Sequence, residues 1–458
     1  MEKIKVVLLG VLFSILLVGC SSGSDKGANA NENSSNSDET ASNETTNNEG
    51  EETVTIRLHH WYNEERDNWL DIIETFEAEH PNIKVESVTP ENNDSEETMK
   101  QIDLAAASGD QLDVIMLSGA APYSQRVNQG MFEPLNSYLE EEGVEFGQEY
   151  QVDTNIEGTY YGLPGKYNMY FVMLNENALN EAGLEIPTDW TWDEYMDYAA
   201  QLTEGEGANK RYGTYFHSWG DYAKLTLNNQ SENSNLVKDD GVTSNIDNPL
   251  IRKTLEIRQR GQEEGSATPY GDTISMNLHY YDQYFNEKAA MIMTGSWMIH
   301  EGGGREGDPS SFKTAFAPYP KAKEGDPVTS PASSDILTVY SGSKHKEEAY
   351  EFIRWYTTQG IIEQGKFLPS YKGEDLTTVV DNLLAGNHNL EMINTESLAN
   401  TIETTQAADV NVPVPFIGEV EDAYLSEVDK FLLNEQDLDT TIDNAHQAVQ
   451  EVIDANVN

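Results

Sequence analysis

The stretch Phe285-Asn-Glu-Lys-Ala-Ala-Met-Ile-Met-Thr-Gly-Ser-Trp297 decides how this chain folds. Ala289 to Met293 is an apolar run, too short for a helix of its own and bounded by polar residues, so it reads as a buried strand. Thr294-Gly295-Ser296 then breaks the run with turn chemistry, and Trp297 emerges where the strand stops. Strand ends form the rim of a sheet, where open α/β architectures bind their ligands. The indole either plugs a core, as tryptophans usually do, or faces a ligand.

Elsewhere in the folded part, strands and helices alternate. Val54, Ile56 and Leu58 alternate with polar residues as a strand does. Trp69, Ile72, Ile73 and Phe76 follow at helical spacing, closed by His80-Pro81. Ile83-Lys-Val85 is the next strand, and Met99, Ile102 and Ala106 mark a helix ended by Ser108-Gly109. Leu112 to Leu117 is nearly continuous apolar sequence, as in a strand covered on both faces. This βαβαβ order implies parallel strands with right-handed crossovers. Further on, Tyr167 to Asn175 is a strand. Thr191 caps a helix with Glu194 completing a capping box, and Trp192, Tyr195, Met196 and Ala199 share its core face. Tyr212 to His217 is a strand running into an aromatic loop at Trp219, and Asp335 to Tyr340 is a strand after a polar Ser330–Ser334 loop. Helices are expected over Asn248–Gln262, around Ala349, Phe352, Ile353 and Tyr356, and around Ile442, Ala445, Val449 and Ile453.

The 458 residues carry 28 Lys plus Arg against 80 Asp plus Glu, a net charge of −52. Such a surface excludes nucleic acid as a partner and repels anionic headgroups, so any membrane attachment must be covalent or hydrophobic. The acidity points to a saline or alkaline exterior, where salt screens the self-repulsion. The single cysteine, Cys20, allows no internal disulfide. Lys3 and Lys5 precede an apolar run from Val6 to Val18, and Leu17-Val18-Gly19-Cys20 matches the bacterial lipoprotein box. Residues 1–20 therefore read as a lipoprotein signal peptide with Cys20 as the acylated residue, and two or three acyl chains anchor a protein stably. Residues 21–52 contain no aromatic or branched aliphatic side chain and read as a disordered acidic linker.

Several motifs are set aside. Gly302-Gly-Gly304-Arg-Glu-Gly307 has dinucleotide-loop spacing but is followed by Asp308-Pro309 where a helix is required. Gly360 to Lys366 resembles a phosphate loop, yet Phe367 replaces the magnesium-binding Ser or Thr. His59 and His60 point to opposite faces if the strand continues through them, which rules out a shared metal. No cofactor and no metal is expected.

An ordered series of segments carries a family resemblance: Tyr160-Tyr-Gly-Leu-Pro164, Pro187-Thr-Asp-Trp-Thr-Trp-Asp-Glu194, Lys288-Ala-Ala-Met291 leading to Gly295-Ser-Trp297, and Ser343-Lys-His-Lys-Glu-Glu-Ala349. Together with the lipoprotein box, the chain resembles the family 1 extracellular solute-binding proteins, the maltose-binding-protein-like carbohydrate receptors of ABC importers. The resemblance spans Thr53 to Asn458. It implies an α/β, two-lobe type II periplasmic-binding-protein-like fold, with each lobe a mostly parallel sheet flanked by helices and hinge segments between them. Residues 53–163 and 318–372 would form lobe 1, and 164–317 and 373–458 lobe 2. Hinges are expected near Gly162–Pro164, Ala317–Pro320 and Leu368–Tyr371.

The function so implied is that of a lipid-anchored, extracytoplasmic receptor, not an enzyme, acting as a monomer. It would bind a sugar or oligosaccharide in the interlobe cleft and hand it to the permease subunits in the membrane. A surface glycoside hydrolase, or a same-fold receptor for a peptide or compatible solute, is the alternative. Candidate ligand residues sit where strands end or the chain crosses between lobes: Trp61, Asn63, Ser118, Tyr123, Tyr167, Asn168, His217, Trp219, Trp297, Ser334 and Asp335. Aromatic faces suit the C–H faces of a sugar, and amide, hydroxyl and carboxylate groups suit its hydroxyls. In the resembled family the tryptophan of the Gly-Ser-Trp motif stacks on a sugar ring. On this reading Trp297→Ala costs well over tenfold in affinity and leaves the thermal transition nearly unchanged.

Overall fold

The computed structural model describes residues 53–457 apart from 92, 386 and 388. The leader, the lipoprotein box with Cys20 and the 21–52 linker lie outside the described residues. The chain opens as β1 (Val54–His59), α1 (Trp69–Glu79), β2 (Ile83–Val88), α2 (Ser95–Ser108), β3 (Val114–Leu117) and α3 (Ala120–Asn128). β1 pairs in parallel with β2 and with β3. Trp69, Ile72, Ile73 and Phe76 are the buried face of α1, as their spacing requires. α2 starts on the Asp94 side chain and stops at Gly109, whose φ of 78° an L-residue adopts at a cost.

β4 (Gly162–Asn175) follows, 14 residues long and buried throughout. Then come α4 (Trp192–Leu202), β5 (Tyr212–Tyr215), α5 (Pro249–Glu263), α6 (Tyr280–Phe285), β6 (Ala289–Gly295), β7 (Thr314–Pro318), β8 (Ala332–Val339), α7 (Lys346–Trp355), α8 (Ile417–Leu432) and α9 (Leu438–Val457). The capping box of α4 is formed: Thr191 Oγ1 accepts from Glu194 N at 3.3 Å, and Glu194 Oε2 from Thr191 N at 2.7 Å. Trp192 is fully buried.

The strands join in the order β2-β1-β3-β8-β4-β6-β5, with β7 also paired to β4. β4 ties the two lobes together. Its first half pairs with β8 (Gly162↔Thr338 to Met169↔Ala332), and its second half with β6 and β7 (Tyr170↔Gly295, Phe171↔Pro318). Within this sheet β1 pairs in parallel with β2 and β3, and β5 with β6, while the other ladders are antiparallel, so the sheet is mixed. The crossing strands β4 and β8 run antiparallel to their neighbours.

Three local expectations shift. β6 continues through Thr294 and Gly295, because Phe171 and Tyr170 extend its ladder. The polar Ser330–Ser334 stretch is partly strand, since Ser333 and Ser334 face Asn168 and Tyr167. Ala317 and Pro318 stay in the second lobe's sheet against Val172 and Phe171, so the return crossing is made by β8. Beside it Tyr167 N donates to Leu368 O at 2.7 Å and Ser370 N to Gly165 O at 2.7 Å, which brings a third segment to the same level.

Trp69, Phe76, Phe352 and Tyr356 centre the first lobe's core. The second lobe has one core around Trp192, Tyr195 and Met196 and another beneath α8 and α9 around Tyr424, Val428, Val449 and Ile453. The crossing tolerates no side chain at its entry. A Cβ on Gly162 would stand 2.6 Å from Ile336 Cγ2 and 2.9 Å from Leu337 O. Gly162→Ala should therefore destabilise the fold by about 1–3 kcal/mol, the usual penalty for overpacking. Urea denaturation checks this, and an unchanged midpoint would show that β8 yields there.

Candidate functional site

The first lobe's rim is built just after β1. His60 is buried, its Nε2 2.8 Å from Ser87 Oγ, and its Nδ1 accepts from Tyr62 N at 3.2 Å. That fixes the turn, so Trp61 lies half-buried against Tyr62, with ring centroids 5.3 Å apart and planes 28° apart. The Tyr62 hydroxyl donates to Asp335 Oδ2. Asn63 holds the turn itself: its Oδ1 accepts from Arg66 N at 2.9 Å, and its own N–H donates to Asp67 Oδ2 at 3.1 Å.

The floor comes from the crossing strands. A bulge in the β4–β8 pairing between Ser334 and Ile336 turns Asp335 toward Lys166, whose Nζ stands 3.2 Å from Asp335 Oδ2. Both are buried. Burial raises the Asp335 carboxyl above its ordinary range, outweighing the pull of Lys166. Ser334 Oγ donates to Lys166 O at 2.8 Å and so braces the bulge. Asn168 Nδ2 donates to Ser333 Oγ at 3.2 Å, while Asn168 Oδ1 is buried without a partner. Tyr167 is buried beside them, its hydroxyl pushed up to about 12 by that burial and by Asp409.

The second lobe's rim is aromatic. Trp219 is 37% exposed and lies 4.5 Å from His217, 5.4 Å from Tyr280 and 6.2 Å from Trp297, ring centre to ring centre. Trp297 stands edge-on to Tyr170 at 5.2 Å and packs against two cores of the lobe. Its ring folds back over Gly295, where a Cβ would meet Cζ3 at 2.0 Å, so the Gly-Ser-Trp spelling is needed to seat the indole. Trp297 is therefore both wall and packing, and Trp297→Ala would cost stability as well as a face. Trp219 is the cleaner probe.

The rims touch. Arg66 forks onto Asp67 (3.0 and 2.8 Å) and reaches Glu301 at 3.9 Å, and His300 stands 3.7 Å from Asp67. Burial alone would raise the Asp67 carboxyl, but His300 and the Arg66 fork outweigh it and hold it well below the usual carboxylate range. His300 Nδ1 has no hydrogen-bond partner.

The structure thus brings Trp61, Tyr167, Asn168, Ser334, Asp335, His217, Trp219 and Trp297 around one interlobe region. Asn63 is present but spent on its turn. Ser118 follows β3, half-buried ahead of α3. Tyr123 is wholly buried; its hydroxyl donates to Thr154 O at 2.9 Å and accepts from Tyr161 N at 3.1 Å, holding the chain before the crossing. Sequence reasoning missed Lys166, Tyr62, Tyr280 and Phe367. Lys166 carried a signal, a lone ammonium inside an otherwise uncharged strand. Two surface hollows lie elsewhere, and the one beside Arg354 and Tyr371 has its arginine engaged by Glu142 and Glu149 at 2.8 and 2.7 Å. Among the described residues no cluster of His, Cys, Asp or Glu is arranged to hold a metal.

The family model for the bacterial extracellular solute-binding proteins matches residues 62–361. The chain belongs to that family. Among curated relatives, this solute-binding protein is 24% identical over 329 residues to a multiple sugar-binding protein of Streptococcus mutans, covering 69% of this chain and 73% of that one. Among solved structures it resembles an ABC substrate-binding protein from Listeria monocytogenes in complex with cycloalternan (TM-score 0.71, 18% identity, 88% and 98% of the two chains). It also resembles UgpB from Mycobacterium tuberculosis in complex with glycerophosphocholine (TM-score 0.69, 16% identity, 89% and 100%). These matches establish the two-lobe fold, and the family is one of receptors, not enzymes, so the hydrolase alternative falls.

Burial, with His279 nearby, lowers His217 from 6.5 to about 3, and burial with Arg57 lowers His59 to about 4. Burial likewise lowers His60 to about 3. Unfolded, each ring would take a proton near 6.5, so the unfolded state binds protons first and stability falls as pH drops from about 6.5 toward 3. His217→Asn should flatten that decline in melts taken between about pH 7 and about pH 4. An unaltered slope would show that His217 is protonated in the folded protein.

Proposed function

We propose that this protein is a lipid-anchored receptor of an ABC importer that binds a sugar or oligosaccharide between its lobes and delivers it to the permease by hinge closure. The lobes that close hold β1, β2, β3 and α7 on one side and β5, β6, β7, α4, α8 and α9 on the other, with β4 and β8 crossing between them. The observation that carries this reading is the pairing of aromatic faces with unsatisfied polar atoms. Trp219, Trp297 and Tyr280 cluster on one rim and Trp61 with Tyr62 on the other, Lys166 Nζ stands 4.8 Å from the Tyr62 ring and 6.0 Å from the Trp297 ring, and Asn168 Oδ1 and His300 Nδ1 have no hydrogen-bond partner. Buried polar atoms are rarely left unpaired in a folded protein, and an unmatched one costs about 1–3 kcal/mol. A polyhydroxylated ring supplies both apolar faces and hydroxyls, and the sugar-binding relative is consistent with such a ligand. Ligand contact with both rims stabilises the closed form that the permease would recognise.

Anchoring would rest on acylation of Cys20. No helix among the described residues is long and apolar enough to cross a membrane. Cys20→Ser should release the protein from the cell into the medium and abolish acyl labelling; retention on the cell would contradict the anchor.

Calorimetric titration of the mature chain with mono-, di- and oligosaccharides tests the ligand class. At least one saccharide should bind, and Trp219→Ala should weaken it about tenfold, equal to ~1.4 kcal/mol, with an unchanged melting temperature. Absence of heat with every saccharide, while a peptide or compatible solute binds, would overturn the reading.

A further inference from the structure

Lys166 is the one charged side chain inside the wholly buried strand β4. Its ammonium is set among aromatic faces: Nζ is 4.8 Å from the centre of the Tyr62 ring, 5.0 Å from Phe367 and 6.0 Å from Trp297. Asp335 supplies the counter-charge at 3.2 Å. The three rings come from distant parts of the chain: the turn after β1, the third interlobe segment and the end of β6. A cation within about 6 Å of several ring faces, backed by a carboxylate, is the arrangement by which proteins hold ammonium groups. A bare strand ion pair needs only the carboxylate. Here the surroundings suit the cation on several sides, and Tyr62 also donates to that carboxylate.

We propose that the floor of the cleft is a cation cage that the chain fills with its own Lys166, and that this residue determines the charge class of ligand the cleft admits. With Lys166 in place, the Asp335 charge is matched and the ring faces are occupied. A cationic solute meets an ammonium where it would need a carboxylate, and a strongly anionic one must compete with Asp335 for Lys166. A neutral hydroxylated ligand needs neither exchange. The lysine has three N–H donors and Asp335 retains acceptor capacity, so adjacent hydroxyls of such a ligand can pair with both. This selection deepens the saccharide reading and rests on the same cleft. The cage itself depends only on the four side chains around Lys166 Nζ.

The test uses the mature full chain, wild type and Lys166→Ala, in thermal melts with tetramethylammonium chloride, propylammonium chloride or sodium chloride at equal ionic strength. The wild type should respond alike to all three salts. Lys166→Ala should melt lower in sodium chloride and regain stability saturably with one or both organic cations. If the variant is unfolded without a cation, refolding by an organic cation and not by sodium supports the cage equally. Asp335→Asn added to Lys166→Ala should remove the response. Failure of both cations to raise the melting temperature of Lys166→Ala above the sodium control would overturn the cage, as would a specific rise in the wild type. Saccharide titration of the wild type separates this outcome from the ligand reading: saccharide binding without cation rescue refutes the cage alone, and cation rescue without saccharide binding refutes only the carbohydrate assignment.

Discussion

The architecture depends on one strand serving two sheets. β4 must be buried over all its 14 residues while its partners change from β8 to β6 and β7 halfway along. A strand in that position cannot leave its backbone groups unpaired, because each buried orphan costs free energy comparable to a lost hydrogen bond. The pairing of β4 with β8 also carries a bulge between Ser334 and Ile336, and the bulge puts Asp335 beside Lys166. Gly162 permits the close entry of this strand against β8, and Gly295 permits the indole to fold over the end of β6. The crossing and the Lys166–Asp335 pair come from the same strand pairing.

Electrostatics separates the surface from the site. The sequence carries a net charge of −52, yet its interlobe region matches charge with charge: Lys166 with Asp335, Arg66 with Asp67, Arg305 with Glu301 at 2.7 Å. Exposed acidic groups are screened by salt within about 10 Å at 0.1 M, whereas buried pairs are screened far less. The acidity of the exterior therefore does not set the chemistry between the lobes. The aromatic rims are insulated in the same way, His217 remaining neutral because its ring is packed among Tyr215, Trp219 and Tyr280.

Periodicity made the helices and buried strands legible: the Trp69–Phe76 face, the Thr191 capping box and the Ala289–Met293 strand all follow from local chemistry. The rims were legible too, since Trp61, Trp219 and Trp297 stand at strand ends. The crossing was harder to read. Ser330 to Ser334 looks like loop because its residues are polar, but their hydroxyls serve the strands, Ser334 bonding Lys166 O and Ser330 bonding Tyr170 O at 2.7 Å. Tyr123 stands after a strand as a ligand residue would, yet its hydroxyl pairs with backbone groups distant in sequence. Tyr62, Phe367 and Lys166 meet only through tertiary packing, which no local pattern encodes.

Hydrogen–deuterium exchange on the mature wild-type protein, with and without a saccharide that binds it, tests most directly whether the solute sits at this crossing. Binding there predicts new protection concentrated in three segments far apart in sequence: 60–63, 217–220 and 296–301. Protection confined to one lobe, or centred on the hollow beside Arg354 and Tyr371, would contradict it.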